Sequence, residues 1–201
     1  RYDDDKSLVF TYGQVGLTTV NATTTNSRAL LSIRVSPSVD NGISGGFGVR
    51  DLINRMQLVL RQLDITARPT SGTNVNVLIR AYLNSTPSTP VSWVNAVNNV
   101  GYAPNSSLAQ IADYSTVGSA TSPVTVTNGE VTAGFFVGSG ANSIELNGVR
   151  DLGNSILGGG DSVTTKGIYP DGPDTVTIVA TNLASTNVEL YARLSWTEAQ
   201  A

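Results

Sequence analysis

The chain contains no cysteine and no histidine among its 201 residues. Without thiols there is no disulfide framework and no thiolate metal site. Without imidazole, catalysis by serine activated through histidine is excluded. Charge is sparse as well: Asp, Glu, Lys and Arg make up only 13% of the residues, with a formal net charge of −3. No basic run or arginine-rich arm is present, which argues against nucleic acid as a main partner. No window approaches the eighteen or so consecutive apolar residues of a spanning helix, and no basic amphipathic stretch is present, so membrane insertion is not expected.

Hydrophobic residues account for 40% of the chain, enough for burial to support a fold without cross-links. The length suits one generous β-sandwich over residues 1–201, with a short flexible N-terminus, or two small β domains over 1–115 and 116–201. The first residue is Arg1, which points to processing or renumbering, and Tyr2 to Lys6 reads as a solvated end.

Period-two alternation carries most of the information. Gly48 to Thr66 is the anchor, with Met56, Leu58 and Leu60 on one side and Gln57, Val59 and Arg61 on the other, as in a strand with one buried face. Ala29, Leu31, Ile33 and Val35 form a similar stripe, with Leu30, Ser32 and Arg34 opposite. Val75, Val77, Ile79, Ala81 and Leu83 form another, backed by Leu78, Arg80 and Tyr82. Later stripes run through Val131, Ala133, Phe135 and Val137, through Val176, Ile178 and Ala180, and through Val188, Leu190, Ala192, Leu194 and Trp196.

Pro37, the NSTPSTP run at 84–90 and the YPDGPD run at 169–174 punctuate these strands. Asn128-Gly129 reads as a two-residue hairpin turn. Leu108 to Tyr114 is the best short helix candidate, because Leu108, Ile111 and Ala112 share one helical face. Many short strands with frequent turns predict an all-β fold, an antiparallel β-sandwich of jelly-roll type, ranked above a solenoid or an open meander.

One echo stands out. Gly148-Val149-Arg150-Asp151-Leu152 repeats Gly48-Val49-Arg50-Asp51-Leu52, and Asn154 stands where Asn54 does. The repeated dipeptides Arg50-Asp51 and Arg150-Asp151 suggest a hydrogen-bonded structural corner. The second copy runs into Gly158-Gly159-Gly160 instead of a long strand, so it is not a full duplication.

No catalytic or metal constellation is evident, and no catalytic, cofactor or metal residue is assigned. Asp151, Asp161, Asp171 and Asp174 are carboxylates near loops, but no spacing pairs two of them for acid–base work, and solvated turn aspartates are the better explanation. Asp3 to Asp5, or Asp171 with Asp174, supply oxygen ligands of the type calcium takes, without the spacing of a calcium loop. The glycine groups lack the lysine of a phosphate loop. Trp93, Tyr102, Tyr114 and Tyr169 lie in or near polar connections, where aromatics anchor protein interfaces or stack on sugars. Leu30, Val59, Leu78 and Tyr82, opposite the core stripes, are candidate subunit contacts, and a sheet buried on both sides would explain them as well.

Leu30 to Val35 followed by Ser36-Pro37-Ser38-Val39-Asp40-Asn41-Gly42, together with Ile53-Asn54-Arg55-Met56-Gln57-Leu58, resembles uncharacterised virion structural proteins of tailed phages that infect marine cyanobacteria. The resembling part runs from Gly16 to about Leu63, roughly the N-terminal third. The resemblance implies a particle component in the tail, neck, fibre region or capsid decoration, located in the virion, with other virion proteins and copies of itself as partners. It assigns no catalytic residues. The sequence-based expectation is therefore a non-enzymatic virion protein without cofactors that self-associates or docks onto another particle component. The alternative is a carbohydrate-binding module of a phage tail that recognises a host surface glycan through the loop aromatics.

Overall fold

The computed structural model describes residues 10–16, 20–22, 27–35, 57–90, 92–95, 109–114, 117, 122–146, 156–157 and 174–199. Among these residues there is no helix, and the strands are β1 (Phe10–Gly16), β2 (Val20–Ala22), β3 (Ser27–Val35), β4 (Gln57–Pro69), β5 (Val77–Leu83), β6 (Thr86–Pro87), β7 (Val94–Asn95), β8 (Ala109–Asp113), β9 (Val126–Thr127), β10 (Glu130–Val137), β11 (Gly140–Glu145), β12 (Ile156–Leu157), β13 (Thr175–Asn182) and β14 (Val188–Ala199). They form two six-stranded antiparallel sheets and one two-stranded ribbon. The first sheet runs β1-β14-β4-β11, with β2 added to β14 and β12 to β4; the second runs β10-β5-β13-β3-β8-β7.

The sheets pack face to face over one shared apolar cluster, the expected antiparallel sandwich. Leu58, Leu60, Leu63, Ile65, Leu190, Leu194 and Trp196 come from the first sheet, and Leu31, Ile33, Val77, Ile79, Val176 and Ile178 from the second. The β14 stripe from Val188 to Trp196 is buried as its alternation predicts.

Bulges alter the phase of three other stripes. In the β14 pairing, Ser195 faces Gln62 and Trp196 faces Leu60, so Arg61 is an extra residue on β4. The core face therefore passes from Leu58 and Leu60 to Leu63, Ile65 and Ala67. On β3, Ile178 faces Leu31 and Val179 faces Ala29, leaving Leu30 as the extra residue. The bulge carries Leu30 into the main core and Ala29 into a second cluster on the sheet's other side. Leu30 is thus fully buried, which overturns its expected role as a subunit contact. On β10, Val131 faces Tyr82 and Ala133 faces Ala81, so Thr132 is extra, and its hydroxyl donates to the Ala81 carbonyl at 3.3 Å. Val131 consequently leaves the stripe of Ala133, Phe135 and Val137 and lies 51% exposed.

Two further expectations are corrected. The segment read as a helix from Leu108 to Tyr114 contains β8, paired to β3 and β7. Its i, i+3, i+4 apolar spacing arises because both faces are covered: Ala109 and Ile111 join the main core, while Ala112 and Tyr114 join the second cluster. Asn128-Gly129 is not a hairpin turn. β9 pairs with β6, and β10 with β5, in one continuous register from Pro87↔Val126 through Leu83↔Glu130. Asn128 and Gly129 kink one strand of this long ribbon, and Asn84 kinks the other, all three at positive φ.

Candidate interaction surfaces

The kink decides what covers the outer face of the second sheet. Past Asn84 and Asn128 the ribbon is separate from the six-stranded sheet, and the Ser88 amide donates to the Thr125 carbonyl at 2.8 Å. The strand then returns to β3, where the Ala29 amide donates to the Val124 carbonyl at 2.8 Å. Val124 closes over Ala29, Ala112 and Tyr114, with Trp93, Val117 and Val126 packed around them. This roof covers the β3–β8 half of the face.

Beneath it lies a chain of hydroxyls. Ser32 Oγ lies 3.0 Å from Tyr114 Oη and 2.6 Å from Thr177 Oγ1, all buried. Such groups are tolerated inside because they satisfy one another. Burial pushes the Tyr114 phenol above its ordinary pKa, opposed in part by the Ser32 hydrogen bond. At the rim, Arg34 Nε donates to Gln110 Oε1 at 3.0 Å, and the guanidinium stands 4.2 Å from the centroid of the Trp93 ring. That distance is a close cation–π stack.

Over the β10–β5 half of the same face, no element among the described residues packs. Phe136 is 73% exposed, and its pairing partner Leu78 is half-buried beside it. Val131 and Tyr82 form a second apolar pair farther along, with exposed Gly134 opposite Arg80 between the two pairs. A β-carbon at Gly134 would meet nothing closer than 3.9 Å, so a notch lies open between Val131 and Phe136. β10 stands at the end of its sheet, and no described residue pairs along its outer side.

The outer face of the first sheet is polar. Asp64 on β4 accepts two bonds from Arg193 on β14, at 3.0 and 2.6 Å, and further bonds from Ser143 at 2.8 Å and Gln62 at 2.7 Å. Gln62 also donates to Ser143 Oγ at 2.6 Å, closing the cluster. The Arg193 guanidinium is the main reason that the Asp64 carboxyl is held below its ordinary range. Nearby, Arg68 lies over the half-exposed Tyr191 ring at 5.7 Å.

Of the residues singled out from sequence, Arg50, Asp51, Arg150, Asp151, Tyr102 and Tyr169 lie outside the described residues, as do Asp161 and Asp171. Trp93 and Tyr114 belong to the same roof, but Tyr114 is wholly buried and unavailable for the surface contact expected of it. It follows directly on β8, its amide donates to the Leu30 carbonyl at 3.1 Å, and its ring packs with Ala29, Ala112 and Val124. Trp93 is half-buried beneath Arg34. Asp174 accepts a bond from Asn84 Nδ2 at 2.9 Å and so braces the kink. Val59, Leu78 and Tyr82 are half-buried on outward faces. Sequence reasoning missed Phe136, Gly134 and the exposure of Val131. The signal for Phe136 was its place opposite the Phe135 stripe.

No protein-family model matches the chain, and no curated protein matches it. Among solved structures, the chain is similar to one from cowpea mosaic virus, described as the naturally occurring empty particles of the top component. Identity is 10% over 94% of this chain and 86% of that chain, at a TM-score of 0.20, a likeness too slight to carry an argument.

Proposed function

We propose that this chain is a phage virion structural protein that self-associates or docks onto another particle component, in the tail, neck, fibre region or capsid decoration, and that it is not an enzyme. The observation that carries the reading is the exposure of apolar side chains on the outer face of the second sheet: Phe136 at 73% and Val131 at 51% on a strand at the end of the sheet's described order. Exposed apolar side chains grouped on one face mark interaction surfaces. The stiff two-sheet body supplies a rigid mount, and the sparse charge of the chain limits the electrostatic cost of packing copies densely. The phage-like blocks at 30–42 and 53–58 direct the reading toward a virion.

Mass measurement of the purified protein, together with a cryo-EM map of the purified particle, tests this function. The expected result is density for the sandwich at repeated positions in the particle, with its β10 face covered by neighbours. A protein that stays monomeric at all concentrations and is absent from the particle overturns the proposal.

A further inference from the structure

Resting on the assembly reading above, we infer that β10 is a self-pairing strand: two copies of this chain join edge to edge, antiparallel, about a two-fold axis at Phe135, continuing the second sheet from one subunit into the next. An unpaired end strand carries a row of free backbone donors and acceptors, and proteins normally guard such rows with lysine, proline or side-chain caps. β11, at the end of the other sheet, carries polar groups at both of its ends: Asn142 Nδ2 donates to the carbonyls of Gly140 and of Gly138 in the preceding loop, each at 3.1 Å, and the charged Glu145 is exposed at its far end. Residues 131–140 include no charged residue and no proline. The bulge at Thr132 confines regular pairing to Ala133–Val137.

The residues of that window complement a second copy of themselves. With Phe135 opposite Phe135, Phe136 falls opposite Gly134 of the other copy, and Ala133 opposite Val137. Each Phe136 then lies over the open notch at Gly134, where a large ring covers a backbone that has no side chain of its own. Gly134 is paired within its own sheet to Arg80, so the arriving ring also comes within reach of a guanidinium. The chain already makes this kind of contact twice, Arg34 on Trp93 and Arg68 on Tyr191. The cation meets the negative face of the ring, and no like charges oppose each other anywhere in the pairing. The faces agree as well: Phe136 and Gly134 both lie on the outer side, Phe135 and its twin on the core side.

The contact is small. Ala133–Val137 spans about 17 Å, and a junction of that length buries well under the roughly 1,200 Å² of a stable free-standing interface. The dimer is therefore weak in dilute solution and forms where copies are concentrated, as in a particle.

Because the chain has no cysteine, engineered thiols report the register directly. Gly134→Cys and Phe136→Cys are made as separate variants, both at exposed positions, and oxidised alone or mixed. Opposed residues sit about 5 Å apart, within disulfide range, whereas each residue and its own symmetry mate are about 8 Å apart and out of range. The expected result is a cross-linked dimer in the mixture and little in either variant alone. Sedimentation of the unaltered protein should show a mass rising toward that of a dimer with concentration, and Phe136→Lys, which brings a cation beside the partner's Arg80, should abolish the rise while leaving the melting temperature unchanged. Equal cross-linking in all three samples, none in the mixture, a concentration-independent monomer, or an undiminished Phe136→Lys dimer each overturns the inference. A chain found in particles but lacking the mixed cross-link would retain the assembly reading and lose this one.

Discussion

Gly129 and Ser85 approach so closely that a β-carbon on the glycine would stand 2.8 Å from the serine's own Cα and Cβ, and 2.7 Å from the Leu83 carbonyl oxygen. Gly129 also has a φ of +80°, so both space and conformation demand glycine at the kink. Gly129→Ala should cost about 3 kcal/mol, a fall in melting temperature of roughly 6–12 °C for a chain of this size. Gly72 has a similar φ of +71° but nothing within 4 Å, so Gly72→Ala should cost only about 1 kcal/mol. Thermal unfolding followed by circular dichroism distinguishes the two, and equal losses would contradict the close approach.

Asp64 provides a pH test. Its carboxyl titrates below its ordinary value of 3.8, chiefly because of Arg193. On acidification the unfolded chain takes up the proton first, so the stabilisation is present above about pH 4 and is lost as pH falls through the lower folded-state value. Arg193 is about half exposed, which keeps the contribution under about 1 kcal/mol. Asp64→Asn should therefore be slightly less stable than the parent at pH 7 and indistinguishable from it near pH 2 in urea denaturation. A gap that widened on acidification would refute this account.

Tyr114 acts in the opposite direction on the pH scale. Its buried phenol titrates above 10.0, so the folded state keeps a proton that the unfolded chain releases, and stability falls as pH rises beyond 10. Tyr114→Phe removes that alkaline branch. At neutral pH it should cost only about 1 kcal/mol, since Ser32 keeps Thr177 as a partner at 2.6 Å. Stability curves at pH 7 and 10.5 test both statements, and a parent and variant that fall in parallel would refute the first.

The two tryptophans should report on different layers. Trp196 is wholly buried, whereas Trp93 is half-buried at the rim of the roof. Trp93→Phe should leave a single blue-shifted emission that acrylamide quenches far less than the emission of the parent. Ready quenching of the remaining tryptophan would remove Trp196 from the core.

Alternation was legible wherever one face of a strand meets the core and the other meets water, as on β14 from Val188 to Trp196. It failed where a strand is covered on both sides: β8 mimics a helical spacing because Ile111 and Ala112 point to opposite faces, and both are buried. It also failed at the bulges, since one extra residue at Leu30 or Thr132 inverts the phase without altering composition. Asn128-Gly129 misled for a related reason. The dipeptide favours left-handed backbone, which suits a kink as well as a hairpin turn. Phe136 was visible only as a residue off the stripe; its exposure depended on where the roof ended, which is a tertiary fact.

The ribbon keeps one register on both sides of its bend, and this limits how the gene can vary. A single codon inserted between Val77 and Ile79, or between Ala133 and Phe136, would turn every later side chain in that strand to the opposite face, taking Ile79 out of the interior or turning Phe136 into it. Whole-codon insertions should instead be absorbed at residues such as Ser71 and Gly72, which are exposed and lie between β4 and β5.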